Sequence, residues 1–113
     1  MREPERDPGR LADIIDAANR IASFTEGHSK EELLLDELRY YAVTRNVEII
    51  GEAVYMLTHD FKNQHPDIPW NDIIKTRHVL VHGYASISPE VLWDIALNDV
   101  PKLKQQILSL DKI

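Results

Sequence analysis

The stretch SKEELLLDELRYYAVTRNVEIIGEAVYMLTHDF, residues 29 to 61, opens on Ser29 followed three positions later by Glu32. This is the capping-box pattern, in which a serine hydroxyl and a glutamate carboxylate each accept from the other's backbone N–H. A helical region is therefore predicted from Lys30 to about Phe61. The region is long, and the cluster Leu33, Leu34, Leu35 before Asp36 marks a bend in it.

Working outward, Asp7 followed by Pro8 reads as an N-cap and first helical position. Leu11, Ile14, Ile15, Ala18, Ile21 and Ala22 then recur at three- and four-residue spacing, which makes an amphipathic helix ending at Gly27. On the other side, His65-Pro66-Asp67-Ile68-Pro69 is a stiff connector, because each proline disfavours helix in the residue before it. Pro69 then starts a third helix, Trp70 to His82, with Gly83 as its terminating glycine. Ser88-Pro89 repeats the cap-plus-proline signal for a fourth helix carried by Val91, Leu92, Ile95, Ala96, Leu103 and Ile107, which Pro101 kinks or splits. No strand alternation or repeat interrupts this pattern. The expected architecture is all-α: one domain over residues 1–113, an up-and-down bundle of four to five helices, with residues 1–7 flexible.

Composition narrows the function classes. The chain of 113 residues has no cysteine, which removes disulfides, thiol nucleophiles and Cys-type zinc sites, and its length suffices for a core without metal. No apolar leader and no stretch near ~18 apolar residues is present, so a cytoplasmic location with no membrane partner is expected. The net charge of −6 opposes a broad grip on nucleic acid. That charge is unevenly spread. Residues 1–61 carry 7 Lys/Arg against 13 Asp/Glu, whereas residues 62–84 carry 3 against 2 together with three histidines.

This least acidic segment holds the first ten residues of KTRHVLVHGYASISPE, residues 75 to 90. His78 and His82, four apart, share a helix face as metal ligands do. Val79 stands where a zinc protease has its glutamate base, and nothing marks His59, His65 or a carboxylate as third ligand, so no metal site is assigned. Arg77 and His82 are five apart, and their side chains leave an ideal helix ~140° apart. They can flank a cleft completed by a second helix or subunit. A histidine of near-neutral pKa can take a ribose 2′-OH proton, and a guanidinium can stabilise a charged phosphorane, which together suffice for RNA cleavage without metal or cofactor. The plainer alternative makes Arg77 a solvated helix charge, His82 a cation suited to a helix C-terminus and Tyr84 a cap residue. Arg45, Glu48 and Glu52 form a polar stripe, either lining the cleft or simply pairing in solvent. Trp70, Trp93, Tyr40, Tyr41 and Tyr55 read as core aromatics, and none is assigned to RNA.

The spacing Arg77-x4-His82-x-Tyr84 resembles the signature of the HepT-like toxins of the HEPN superfamily. RNVEIIGEA (45–53), HPDIPW (65–70) and VLWDIALNDVPKLKQQI (91–107) resemble their long second helix, connector and last helical region, so the likeness runs from about Leu11 to Ile107. The resemblance implies a HEPN bundle acting as a metal-independent RNase toxin that needs no cofactor. Its implied partners are a second copy in a homodimer, an RNA substrate, and an MNT-type nucleotidyltransferase antitoxin. It makes Arg77 and His82 catalytic and Tyr84 the residue that receives AMP. His78 occupies a position that is often asparagine in that family, which leaves its part in the cleft open. A non-catalytic HEPN module that partners a nucleotidyltransferase is the alternative.

Overall fold

The computed structural model describes residues 3–82 and 88–110, the side chains of residues 81 and 82 excepted. Among the described residues the chain is helical and contains no strand, as expected. A 3-10 turn, Pro4–Arg6, leads into α1 (Asp7–Thr25). There follow α2 (Lys30–Leu35), α3 (Glu37–Met56), α4 (His59–Gln64), α5 (Trp70–His82) and α6 (Pro89–Asp94), and then a π-helical turn (Ile95–Asp99) running into α7 (Val100–Leu108). The four predicted helical regions are all present, two of them subdivided.

The local signals behave as read. Ser29 accepts from the Glu32 N–H at 3.2 Å and Glu32 accepts from the Ser29 N–H at 2.9 Å, closing the capping box of α2. Hydrogen bonds from His28 and from the Ser29 N–H hold the Glu32 carboxyl below its ordinary pKa. Gly27 takes φ +75°, the left-handed conformation that lets the chain turn after α1. Ser88 accepts from the Val91 N–H and caps α6.

The bend at Asp36 is a full break, with the Asp36 carboxylate as N-cap of α3. Arg39 reaches from there to the Phe24 carbonyl at 2.7 Å, placing its cation at the C-terminus of α1. A second break, at Leu57-Thr58, corrects the continuous run to Phe61. The Thr58 hydroxyl caps α4 by accepting from the Phe61 N–H, and it donates to Asp7 at 2.7 Å while the Thr58 N–H donates to the other Asp7 oxygen at 3.0 Å. Asp7 is therefore not the N-cap of α1. It is the first residue of that helix, with its carboxylate turned to a partner 51 positions away and only 6% exposed, at the end of the segment expected to be flexible.

Pro101 acts upstream of itself. Its ring clashes with the carbonyl four residues back, and the preceding turn widens so that the Val100 N–H bonds the Ile95 carbonyl, five residues away.

α3 lies at the centre. It packs on α1 along one side and α5 along the other, while α7 and the π turn close over α1, and α6 meets α2. Its buried residues accordingly spread around the helix: Val43, Val47, Ile50, Ala53 and Val54, with Asn46 and Gly51 among them. Against them α1 sets Leu11, Ile14, Ala17, Ala18 and Ile21, so the apolar stripe includes Ala17 and leaves Ala22 exposed. Burial of this kind is worth roughly 1.5–3 kcal/mol per large side chain. The stiff connector is closed by the Trp70 indole, which donates to the His65 carbonyl at 3.0 Å and packs its ring near Phe61.

Candidate functional site

α3 and α5 cross at Gly51. A Cβ added to Gly51 would overlap the Cβ of Arg77 and stand 3.4 Å from its Cα. Only glycine permits this approach, which is why a helix-destabilising residue sits in the middle of a 20-residue helix. The consequence falls on Arg77. Its side-chain stem is held against the α3 backbone, so the guanidinium leaves the crossing in a narrow range of directions, with 29% of the side chain exposed.

Glu52, beside Gly51, lies 4.0 Å from the Arg77 guanidinium and is 58% exposed. At that separation and exposure the attraction amounts to about 1 kcal/mol or less. The pair leaves the guanidinium charged and open to a stronger anion. A phosphate offers shorter, bidentate hydrogen bonds than Glu52 does.

The other site candidates are distributed along the same two helices. Arg45 and Glu48 pair with each other at 3.5 Å, one turn and more from Glu52, with Arg45 largely in solvent. The stripe Arg45, Glu48, Glu52 thus divides: Glu52 meets Arg77, and the other two form an i,i+3 pair of an exposed arginine and a half-buried glutamate. His78 lies on the exposed surface of α5, about 100° around the axis from Arg77. The backbone of His82 belongs to the last turn of α5, while its side chain, Gly83 and Tyr84 lie outside the described residues. Among the described residues no three His, Asp or Glu gather as a metal set would, and no helix is long and apolar enough to cross a membrane.

The core reading of the aromatics holds for Trp70 but needs correcting for two tyrosines. Tyr41 is 60% and Tyr55 is 47% exposed. Both lie on the outward stripe of α3 that also carries Arg45, Glu48 and Glu52. Leu34 and Leu35 at the end of α2 and Leu38 on α3, the latter two more than four-fifths exposed, extend Tyr41 into an apolar surface. These apolar side chains stand in solvent around the junction of α2 and α3. Of the run Leu33–Leu35, Leu33 alone is buried.

Among the described residues, grooves lie along α5. One, of about 210 Å³, has a floor of Val47, Ile50, Ile73 and Leu103 and lies against the π turn, where partial burial and then the nearby Asp94 raise the Asp99 carboxyl above its ordinary pKa. Another, of about 500 Å³, opens between the end of α3, α4 and the first turns of α5.

Comparison with known proteins identifies the family of the chain. The family model described as "Ribonuclease HepT-like" matches residues 14–110. A Thermococcus cleftensis protein named "Probable ribonuclease HepT" is 39% identical over 102 residues, covering 90% of this chain and 93% of the relative. "Putative RNase MJ1380" of Methanocaldococcus jannaschii is 37% identical over 97 residues, covering 86% and 89%. "Putative RNase MJ0127" of the same organism is 38% identical over 102 residues, covering 90% and 84%. No solved structure gives a significant match. With the family model spanning most of the bundle and Arg77 set at its central helix crossing, the chain belongs to the HepT-like ribonuclease family.

Proposed function

We propose that this protein is a metal-independent endoribonuclease that works as a homodimer and serves as the toxin of a toxin–antitoxin pair. The observation that carries the reading is Arg77: a guanidinium directed by the Gly51 crossing, held by one weak carboxylate contact, in a chain of a ribonuclease family. His82 of the same signature takes the 2′-OH proton, the 2′-oxygen attacks the adjacent phosphorus, and Arg77 stabilises the phosphorane charge as the P–O5′ bond breaks and the 5′-oxygen leaves, taking a proton from water. The products carry 2′,3′-cyclic phosphate and 5′-hydroxyl ends.

Dimerisation is supported from two sides. The ~140° between Arg77 and His82 on one helix suits a site assembled from two protomers. Leu38 and Tyr41, on the stripe that leads to Glu52, and Leu35 at the end of α2 provide apolar surface for a second copy. The antitoxin is proposed to be a nucleotidyltransferase that transfers AMP to Tyr84, two residues past His82. The added phosphate would engage Arg77 and repel RNA by like charge.

Incubation of the purified chain with RNA, with and without EDTA, tests the enzymatic reading. Cleavage that survives EDTA and leaves 2′,3′-cyclic phosphate supports it; a 2′-O-methyl at the scissile nucleotide should block it. Absence of cleavage, or 3′-hydroxyl ends, contradicts it. For the antitoxin, intact-mass measurement after co-expression should show adenylate-sized increments that vanish in Tyr84→Phe. An unmodified chain in an inactive complex would replace modification with inhibition by binding.

A further inference from the structure

The groove of about 500 Å³ begins within one helical turn of Arg77 on both helices that position it. Tyr55 follows Glu52 by three residues on α3, and Ile74 precedes Arg77 by three residues on α5; both line the groove. Its volume lies in the range of pockets that enclose a small-molecule-sized group. Trp70 and Ile68 supply an apolar floor, and around it stand the half-exposed Tyr55 ring and the amides of Asn63 and Asn71.

The charges at this groove decide what it can hold. Lys62 contributes an ammonium that also donates to the Val54 carbonyl at 3.2 Å, His59 an imidazole and Asp72 an opposing carboxylate. One shared cation beside a carboxylate suits few phosphates, and the chain as a whole is acidic. An aromatic face with two amides suits a base, which stacks on the ring and presents its edge to donor and acceptor pairs. We infer that Tyr55, Asn63 and Asn71 form a subsite for one unpaired nucleotide of single-stranded RNA, adjacent to the phosphodiester that Arg77 engages. This rests on the proposed role of Arg77 only for which nucleotide is held.

The subsite gives an acidic protein a way to hold RNA through stacking instead of through many phosphate contacts. Its salt dependence should therefore be shallow, with a log–log slope near −1 for about one or two neutralised phosphates. The probe is a fluorescein-labelled single-stranded RNA 12-mer titrated against the full-length His82→Ala protein, with affinity read by anisotropy. Adding Tyr55→Ala to this parent should raise Kd about tenfold, as loss of one base–aromatic stack does. Tyr55→Phe, which keeps the ring, should stay near the parent value. In the wild-type background Tyr55→Ala should raise KM with kcat largely retained.

The subsite is overturned if a folded Tyr55→Ala protein binds like its parent, if Tyr55→Phe weakens binding as much as alanine does, or if the parent does not bind RNA at all. The two readings fail separately. A wild-type protein that does not cleave, on a parent whose RNA affinity depends on the Tyr55 ring, removes the nuclease chemistry and leaves the subsite. Wild-type cleavage with unchanged Kd and KM in Tyr55→Ala removes the subsite and leaves the nuclease.

Discussion

The carboxylates of Asp7 and Glu52 each meet a group from a distant part of the chain, under opposite conditions. Asp7 is buried, accepts two short hydrogen bonds from Thr58, and through that residue fixes the break between α3 and α4. Glu52 is mostly exposed and stands 4.0 Å from a guanidinium that it does not satisfy. A short, dry contact with every acceptor used holds a fold together. A long, wet contact to an aimed cation leaves that cation available to a substrate. The difference separates structural polar chemistry from the candidate site by geometry, without reference to residue type.

The largest expected effect lies on the open side. Arg77→Ala and His82→Ala should each lower cleavage by about 10²-fold or more while circular dichroism keeps its helical signal. Arg77→Lys keeps a cation and much of the stem, but lacks the bidentate fork, and should recover only part of the loss. Full activity in either alanine variant would break the comparison.

The closed side should respond in stability. Asp7→Ala leaves the Thr58 N–H and hydroxyl without their acceptor and should cost about 1–3 kcal/mol, a fall in Tm of about 10 °C, with turnover of the folded protein unchanged. Loss of turnover at a temperature where the variant is folded would mean that the two regions are coupled.

Gly51→Ala probes the boundary between them. Its methyl group collides with Arg77, so the crossing must open: about 1–3 kcal/mol of stability is lost, and cleavage falls because the guanidinium moves. Where Asp7→Ala should affect stability alone, Gly51→Ala should affect both, and thermal melts paired with initial rates distinguish them.

The smallest effect concerns Asp99. Its carboxyl is raised by partial burial and by Asp94, so the folded state binds this proton more tightly than the unfolded chain. By linkage the residue weakens the fold as pH rises from the ordinary carboxylate value through the raised one. Asp99→Asn should therefore melt slightly higher than wild type at pH 7, with the advantage fading toward pH 3. A difference that does not change with pH would contradict the assignment.

What was legible in the sequence follows from distance along the chain. The capping box of Ser29 and Glu32, the turn at Gly27 and the cap at Ser88 each depend on residues three or fewer positions apart, and they stand as read. The Asp7–Thr58 lock spans 51 positions and the Gly51–Arg77 crossing 26, so neither contact has a local signature. The break at Thr58 could have been suspected, since threonine three residues before Phe61 offers an N-cap. Gly51 carried a signal as well, because a glycine inside a helix asks for a packing reason. The exposure of Tyr55 and Tyr41 had none, since core and surface aromatics share helical spacing.

Arg77 and His82 are proposed to act in one site built by two protomers. Arg77→Ala and His82→Ala proteins, each inactive alone, can be mixed, allowed to exchange, and assayed on RNA after heterodimer formation is confirmed by native mass spectrometry. In a shared arrangement one of the two symmetric sites keeps both its arginine and its histidine, so the heterodimer should recover about half of the wild-type rate per dimer. A confirmed heterodimer that remains as inactive as either parent, or a wild-type protein that cleaves as a monomer, would contradict it.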